Sequence, residues 1–429
     1  MDPVPSPVFR RHLPGEEGLE LREALESGNG PGAIGGPVSR FVVAMLLLAL
    51  STCPPITAAS SSAPQRPRAR DLGIPFDGAP GALNAITDVP GVEVGMVTLI
   101  RDAPRAGGGT AAVRTGVTAI LPRGKRSGNP VFGAWFPLNG NGEMTGTHWL
   151  QESGFLEGPI LITNTHSVGV VRDAVVRWQV EHKFLYQEYT YPIVAETFDG
   201  HLNDINGFHV TAEDAIRAIE GAAGGSVQEG NVGGGTGMVC YEFKCGTGTA
   251  SRRLSDKDGG HVVGVLVQAN HGARHQLQVA GVPVGGLIGE NAPYTGGRNL
   301  DNERGSIIIV VATDAPLLPH QLRRLAVRAS LGLARTGGRA GNGSGDIFIA
   351  FSTANAQAPA RDRSLVEAQF VPNDRINPLF SAVILATEEA ILNALVAGET
   401  MTGLDGHRVD AIPHDRLQAA LRRHGRLTR

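Results

Sequence analysis

The chain has 429 residues, a formal net charge of −3, 41% hydrophobic residues and 18% charged ones. That is enough apolar sequence for one large core or two modest ones, and the near-neutral charge gives no reason to expect a nucleic-acid partner. The 58 glycines follow no collagen period and are separated by apolar runs, which excludes a collagen-like fibre and a main body without a packed core.

The first element is the apolar run Phe41 to Leu50, FVVAMLLLAL, preceded by Arg40 and followed by the small residues of Ile56-Thr57-Ala58. A basic flank, a short apolar core and small residues after it form a signal-peptide pattern. The run is short for a membrane span, so no stable span is expected. Residues 1–58 are therefore expected to be an N-terminal extension with a signal peptide, which places the protein in the periplasm or outside the cell. The polar stretch before Arg40 is unlike a normal basic leader, and Val38 is an alternative start. A buried or anchoring helix is the rival reading, and it would keep the protein in the cytoplasm. Residues 59–71 (ASSSAPQRPRARD) read as a flexible linker by composition.

Residues 72–429 read as a single domain without a second linker. Val117 to Pro122, Pro159 to Thr163, Val262 to Gln268 and Ser306 to Ala312 are short continuous apolar runs, as in strands buried on both faces. Thr211-Ala212-Glu213-Asp214 is a capping-box start for a helix that ends near Gly221. Pro319 to Arg335 carries Leu322, Leu325, Ala326 and Leu333 at helical spacing, with arginines opposite. Asn377-Pro378 opens a long apolar helix that Gly398 ends. Buried strands with amphipathic helices predict a layered α/β domain, helices outside.

Cys240 and Cys245 lie in a strand-like stretch. A straight strand would hold their α-carbons about 16 Å apart, so two free structural thiols are expected; a disulfide would need a hairpin between them. No Cys or His spacing suggests a metal site, and no cofactor is expected. Gly233 to Gly237 (GGGTG) resembles a phosphate loop, but the stretch that follows reads as a strand rather than the required helix, which argues against a nucleotide site. His166, His201, His209 and His271 are expected to be structural.

One turn has the ingredients of a reactive site. Asn342-Gly343-Ser344-Gly345-Asp346 directly precedes the apolar strand Ile347 to Phe351. A serine hydroxyl needs a base to take its proton. If the Gly343–Ser344 bond were cut, the new α-amine, with a reference pKa of about 8, would put that base on the same residue as the nucleophile. A glycine before the bond leaves its carbonyl open to attack.

Several stretches, in order, carry a family resemblance: NAITDVPGVEVG (Asn84 to Gly95), LNGNGEMTG (Leu138 to Gly146), ITNTHSVG (Ile162 to Gly169), EGNVGGGTGM (Glu229 to Met238), VQAN (Val267 to Asn270), ATDAPLLPHQL (Ala312 to Leu322), NGSGD (Asn342 to Asp346) and ATEEAILN (Ala386 to Asn393). Together they resemble the L-aminopeptidase/D-amidase-esterases and β-peptidyl aminopeptidases. The resemblance implies a four-layer αββα sandwich, similar to the N-terminal-nucleophile fold with different connectivity. It also implies a precursor cut into two chains that stay together, a homo-oligomer, no metal, and removal of N-terminal residues from small peptides, amides or esters.

By that resemblance Ser344 is the nucleophile and Gly343–Ser344 the cleavage site. Thr387 and Glu389 match a Ser-x-Glu pair that hydrogen-bonds around the nucleophile, with Thr in place of Ser. On an ideal helix they point about 200° apart, so both face one site only if the segment begins or distorts there. Glu229 is expected to bind the substrate's free amine through a charge-assisted hydrogen bond, and Tyr241 and Asn270 to donate to the oxyanion. The alternatives are an acyltransferase of the ornithine-acetyltransferase type, which cleaves itself at a threonine, and a non-enzymatic binding protein on the same fold.

Overall fold

The structure, a computed structural model, describes residues 66–104, 108–293 and 304–427. The expected signal segment, Val38, Cys53 and most of the expected linker lie outside the described residues. In chain order the first strands are β1 (Glu93–Pro104), β2 (Thr110–Leu121), β3 (Val131–Gly140), β4 (Phe155–Leu156), β5 (Ile160–Asn164) and β6 (Ile193–Thr197). Then come β7 (Val239–Cys240), β8 (Phe243–Lys244), β9 (Thr247–Arg253), β10 (Val262–Asn270), β11 (Arg304–Thr313) and β12 (Gly343–Ser352). The helices are α1 (Thr147–Ser153), α2 (Val168–Glu181), α3 (Ala212–Glu220), α4 (Val284–Leu287), α5 (Pro319–Arg335), α6 (Asn377–Val396) and α7 (His414–Arg423).

Two sheets carry the fold, one ordered β1-β2-β5-β6 and the other β4-β3-β12-β11-β10-β9. Three apolar cores separate four layers. Val117, Ala119 and Val194 pack outward against α2 and α3. Ile120, Ile162, Ile308 and Ile349 fill the space between the sheets. Ile307, Ile309 and Phe348 face α5 and α6. Strand alternation explains how adjacent residues serve two cores, and the expected αββα sandwich is the observed one.

The local signals act as read. Thr211 and Asp214 close a reciprocal capping box on α3. Proline opens both α5 and α6. Parallel β11 and β12 need a crossover between them, and α5 supplies it. Among the described residues α6 is long and apolar enough to span a membrane, yet 78% of its most apolar window is buried in the fold, as a core helix would be.

Two expectations are corrected. Cys240 and Cys245 form a disulfide, with Cα atoms 5.4 Å apart. Tyr241 and Glu242 both adopt left-handed backbone, φ 50° and 59°, and fold β7 onto β8 as a tight hairpin. Such two-residue turns usually carry Asn or Gly, so Tyr-Glu hid it. Residues 66–71 of the expected linker are docked rather than loose. Arg66, Arg68 and Arg70 bond Glu399, Glu229 and Glu389 in turn, spaced by two as in an extended chain.

The Gly233–Gly237 run is a packing device. A Cβ on Gly234 would lie 2.1 Å from Gln268 Oε1, and one on Gly235 2.3 Å from the Thr247 amide. The backbone threads between strands where no side chain fits, and a strand follows instead of a helix.

Candidate active site

β11 and β12 run parallel, and each carries a Gly-Ser step within its first three residues: Gly305 is in register with Ser344, and Ser306 with Gly345. At this end side chains enter the seam between the two strands. Ser306 Oγ accepts the Gly345 amide at 3.0 Å. Asp346 Oδ1 accepts the Ile307 amide at 3.2 Å and the Ser344 hydroxyl at 2.7 Å. Two serine hydroxyls and one carboxylate therefore share a single strand seam.

The serines differ in setting. Ile308, Val310 and Ala312 point between the sheets, so alternation puts Ser306 at the mouth of that space. Phe348 and Ala350 point to the helices, so Ser344 and Asp346 lie on the helix side. Ser344 is fully buried and its hydroxyl is committed to Asp346. Gly305, before Ser306, has φ +112°, and a Cβ there would lie 1.8 Å from the Asn270 carbonyl. Only glycine fits.

Asn270 on β10 stands directly opposite Ser306 in register. Its Oδ1 accepts the Val239 amide at 2.8 Å, and its Nδ2 donates to the Phe198 carbonyl at 2.9 Å. The bond from Val239 fixes which end of the amide is the donor. The structure thus brings Asn270 beside Ser306, and two strands away from the Ser344 backbone.

The other expected residues lie elsewhere. Thr387 and Glu389 sit in mid-helix on α6, with no distortion there. Thr387 packs on α5, where a Cβ on Gly332 would lie 2.6 Å from its own Cβ. Its hydroxyl has no hydrogen-bond partner among the described residues. Glu389 points toward β9 and bonds Arg70 and Arg252 at 2.6 and 2.7 Å. Glu229 is bonded by Arg68 and by the Thr249 amide on β9, and β9 is the far edge of the six-stranded sheet, three strands from β12. Burial pushes the Glu229 carboxyl up to about 7, against the pull of Arg68. The Tyr241 hydroxyl lies with Thr336 Oγ1 at 2.7 Å and His271 Nε2 at 3.2 Å. Burial lowers His271 to about 3, so that imidazole is neutral at physiological pH and braces Tyr241.

The seam also brings together residues that sequence reasoning did not single out, Ser306, Asp346 and Glu196. Ser306 had the same signal as Ser344, a Gly-Ser step before an apolar strand. Ser344-Gly345-Asp346 is itself a serine two residues before an acid, and on a strand such residues share a face. Glu196, at the end of β6, accepts the Glu143 amide at 3.0 Å and a hydrogen bond from Thr165. A Cβ on Gly142 would lie 3.2 Å from Glu196 Oε1 and 3.1 Å from the Gly345 α-carbon, so only a glycine separates Glu196 from the seam. Burial raises the Glu196 carboxyl above its ordinary value, and Thr165 and the Glu143 amide draw it partly back.

The family model for peptidase family S58 matches residues 84–409. The β-peptidyl aminopeptidase BapA of Sphingosinicella microcystinivorans is 54% identical over 378 residues, covering 86% of this chain and 95% of that one. BapA of Sphingosinicella xenopeptidilytica is 45% identical over 381 residues, covering 86% and 94%. Among solved structures, the L-aminopeptidase D-Ala-esterase/amidase of Ochrobactrum anthropi superposes with a TM-score of 0.79 at 49% identity, covering 84% of this chain and all 100% of that one. That protein is described as a prototype of the serine aminopeptidases and a new variant of the Ntn-hydrolase fold. With the fold, the seam and these relatives in agreement, the chain belongs to peptidase family S58 and is an aminopeptidase.

Proposed function

We propose that the protein is a self-cleaving serine aminopeptidase whose nucleophile is Ser306, released by scission of Gly305–Ser306. The observation that carries this reading is the β11–β12 seam, where Ser306 Oγ accepts the amide of Gly345, the residue between Ser344 and Asp346, and Ser306 stands opposite Asn270. A Ser-x-acid pair around the nucleophile is met by Ser344 and Asp346 if the nucleophile is Ser306. It is not met by Thr387 and Glu389, which diverge on a helix.

In maturation Ser306 Oγ attacks the Gly305 carbonyl, the C–N bond breaks, and the peptide becomes an ester. The proton of Oγ passes to the departing nitrogen, which becomes the free Ser306 α-amine, and water then hydrolyses the ester to the Gly305 carboxylate and the Ser306 hydroxyl. In turnover that amine, with a reference pKa of about 8, takes the hydroxyl proton. The hydroxyl attacks the scissile carbonyl, the Asn270 amide donates to the oxyanion, and the proton passes to the leaving amine. Water hydrolyses the acyl-enzyme. Glu196 receives the substrate's ammonium through a charge-assisted hydrogen bond. Ser344 and Asp346 hold the new N-terminus in place.

The substrates are small peptides and aminoacyl amides or esters. Peptides with an N-terminal β-residue come first, given the likeness to the two BapA proteins. The buried disulfide and the N-terminal apolar run support export to an oxidising compartment.

N-terminal sequencing of the purified protein decides the nucleophile. A second polypeptide beginning Ser-Ile-Ile-Ile is expected, absent from Ser306→Ala. One beginning Ser-Gly-Asp-Ile returns the role to Ser344. An uncut, active wild type sinks both.

A further inference from the structure

We propose that the Cys240–Cys245 disulfide is a positioning device for the Asn270 amide, so that full turnover requires this chain to be oxidised. The inference rests on the reading of Ser306 as nucleophile with Asn270 as its oxyanion donor.

The hairpin that the disulfide closes is small. β7 and β8 contribute two residues each, and both turn residues hold left-handed backbone that L side chains rarely adopt. A ladder that short is marginal without a further tie. The disulfide supplies a covalent one from Cys240 to Cys245, beside the bond of the Cys245 amide to the Met238 carbonyl and those of the Arg274 guanidinium to the Tyr241 and Glu242 carbonyls.

What the hairpin presents is the Val239 amide, which donates to Asn270 Oδ1. That bond decides which end of the Asn270 side chain is oxygen and which is nitrogen. With Oδ1 held and one Nδ2 proton given to the Phe198 carbonyl at 2.9 Å, the second Nδ2 proton is the one left for a developing negative charge. Were the hairpin to relax, the Phe198 carbonyl alone would hold the amide, and rotation about that single bond would move Nδ2 off the oxyanion or set a carbonyl oxygen against it. The same hairpin is tied to the end of β10 at a second point, because the Tyr241 amide donates to the His271 carbonyl at 2.7 Å.

Both cysteines are fully buried, so the bond forms while the chain folds and then stays closed to small thiols. Formation is thiol–disulfide exchange with a disulfide oxidant of the exporting compartment. Each cysteine thiol gives up its proton, two electrons pass to the oxidant, and the oxidant leaves as two thiols.

A double-mutant cycle tests this. Turnover of the mature enzyme is measured well below the melting temperature for four forms: wild type, Cys240→Ala/Cys245→Ala, Asn270→Ala, and all three changes together. In the wild-type background, losing the disulfide is expected to lower kcat about tenfold with KM changed less than about twofold. In the Asn270→Ala background it is expected to change kcat by less than about twofold. Equal losses in both backgrounds mean general loosening and overturn the proposal, as does no loss in either. Should the double cysteine variant not fold, wild type refolded and assayed in excess reductant, with the thiols left unmodified, replaces it and is read the same way. Two free thiols in the native protein, found by mass spectrometry after alkylation, also overturn it. The nucleophile assignment fails separately, through a Ser306→Ala protein that remains active.

Discussion

Ser344 and Asp346 stand two residues apart on β12, and the Ser344 hydroxyl donates to the Asp346 carboxylate across 2.7 Å. The same carboxylate oxygen takes the Ile307 amide, the residue after Ser306. Through that pair of bonds the start of β12 holds the start of β11. Asp346→Asn keeps the shape and removes the charge. It is expected to slow turnover about 10²-fold or more, in the range of acid–base groups. Ser344→Ala should slow it in the same direction while the second polypeptide still begins at Ser306. Steady-state kinetics beside a denaturing gel read both.

Gly305 cannot carry a side chain, since φ is +112° and a Cβ would meet the Asn270 carbonyl at 1.8 Å. Gly305→Ala is therefore expected to remain mostly a single polypeptide on a denaturing gel, with a lowered melting temperature. Normal cleavage in that variant would show that the bond before Ser306 is not held as described.

Glu196 and Glu229 separate by their partners. Glu229 is held by Arg68, whereas Glu196 lies one glycine from the seam. Glu196→Gln is expected to lower kcat/KM about 10- to 100-fold, the worth of a hydrogen bond to a charged group. Glu229→Gln should leave kcat/KM nearly unchanged and reduce stability instead.

The pH profile follows from the same carboxyl. Burial raises Glu196, and only the ionised form attracts an ammonium. The acidic limb of kcat/KM is therefore expected above the ordinary carboxylate range, with activity lost as pH falls through it. In Glu196→Gln that contribution is expected to disappear, leaving the limb set by the Ser306 α-amine, which must be neutral to act as base.

With Ser306 as the proposed nucleophile, Glu389 is expected to support the fold rather than the chemistry. Burial alone would raise its carboxyl, but Arg70, Arg252 and Asn84 outweigh it and hold it below its ordinary value. A depressed folded pKa means stability that is present above the unfolded pKa and lost as pH falls through the folded one. Glu389→Ala leaves Arg252, whose side chain is 3% exposed, without its carboxylate. A cost of about 3–5 kcal/mol is expected, read by denaturant unfolding. Turnover of the protein that stays folded should be near normal.

Much of the scaffold was legible because its signals are local. The capping box at Thr211, the prolines opening α5 and α6, and the continuous apolar run of β11 each act within a few residues. The disulfide was not legible, because it depends on two left-handed residues of types that seldom adopt that backbone. The docked arginines were hidden in a composition that reads as linker. Their partners Glu229, Glu389 and Glu399 are far away in sequence.

The site shows the same division. The ordered family stretches determined the fold class and the aminopeptidase activity, since both depend on patterns spread along the chain. They pointed to Ser344 as the nucleophile, a serine after a glycine at the head of a buried strand, and Ser306 fits that description as well. Register decided what lies beside each. Asn270 faces Ser306 because β10 pairs with β11, and Ser344 can share a face with Asp346 because a strand repeats every two residues. Thr387 and Glu389 have the same spacing on a helix, where that spacing turns them apart. One-dimensional spacing cannot carry this difference, because the angle between two side chains belongs to the backbone they stand on.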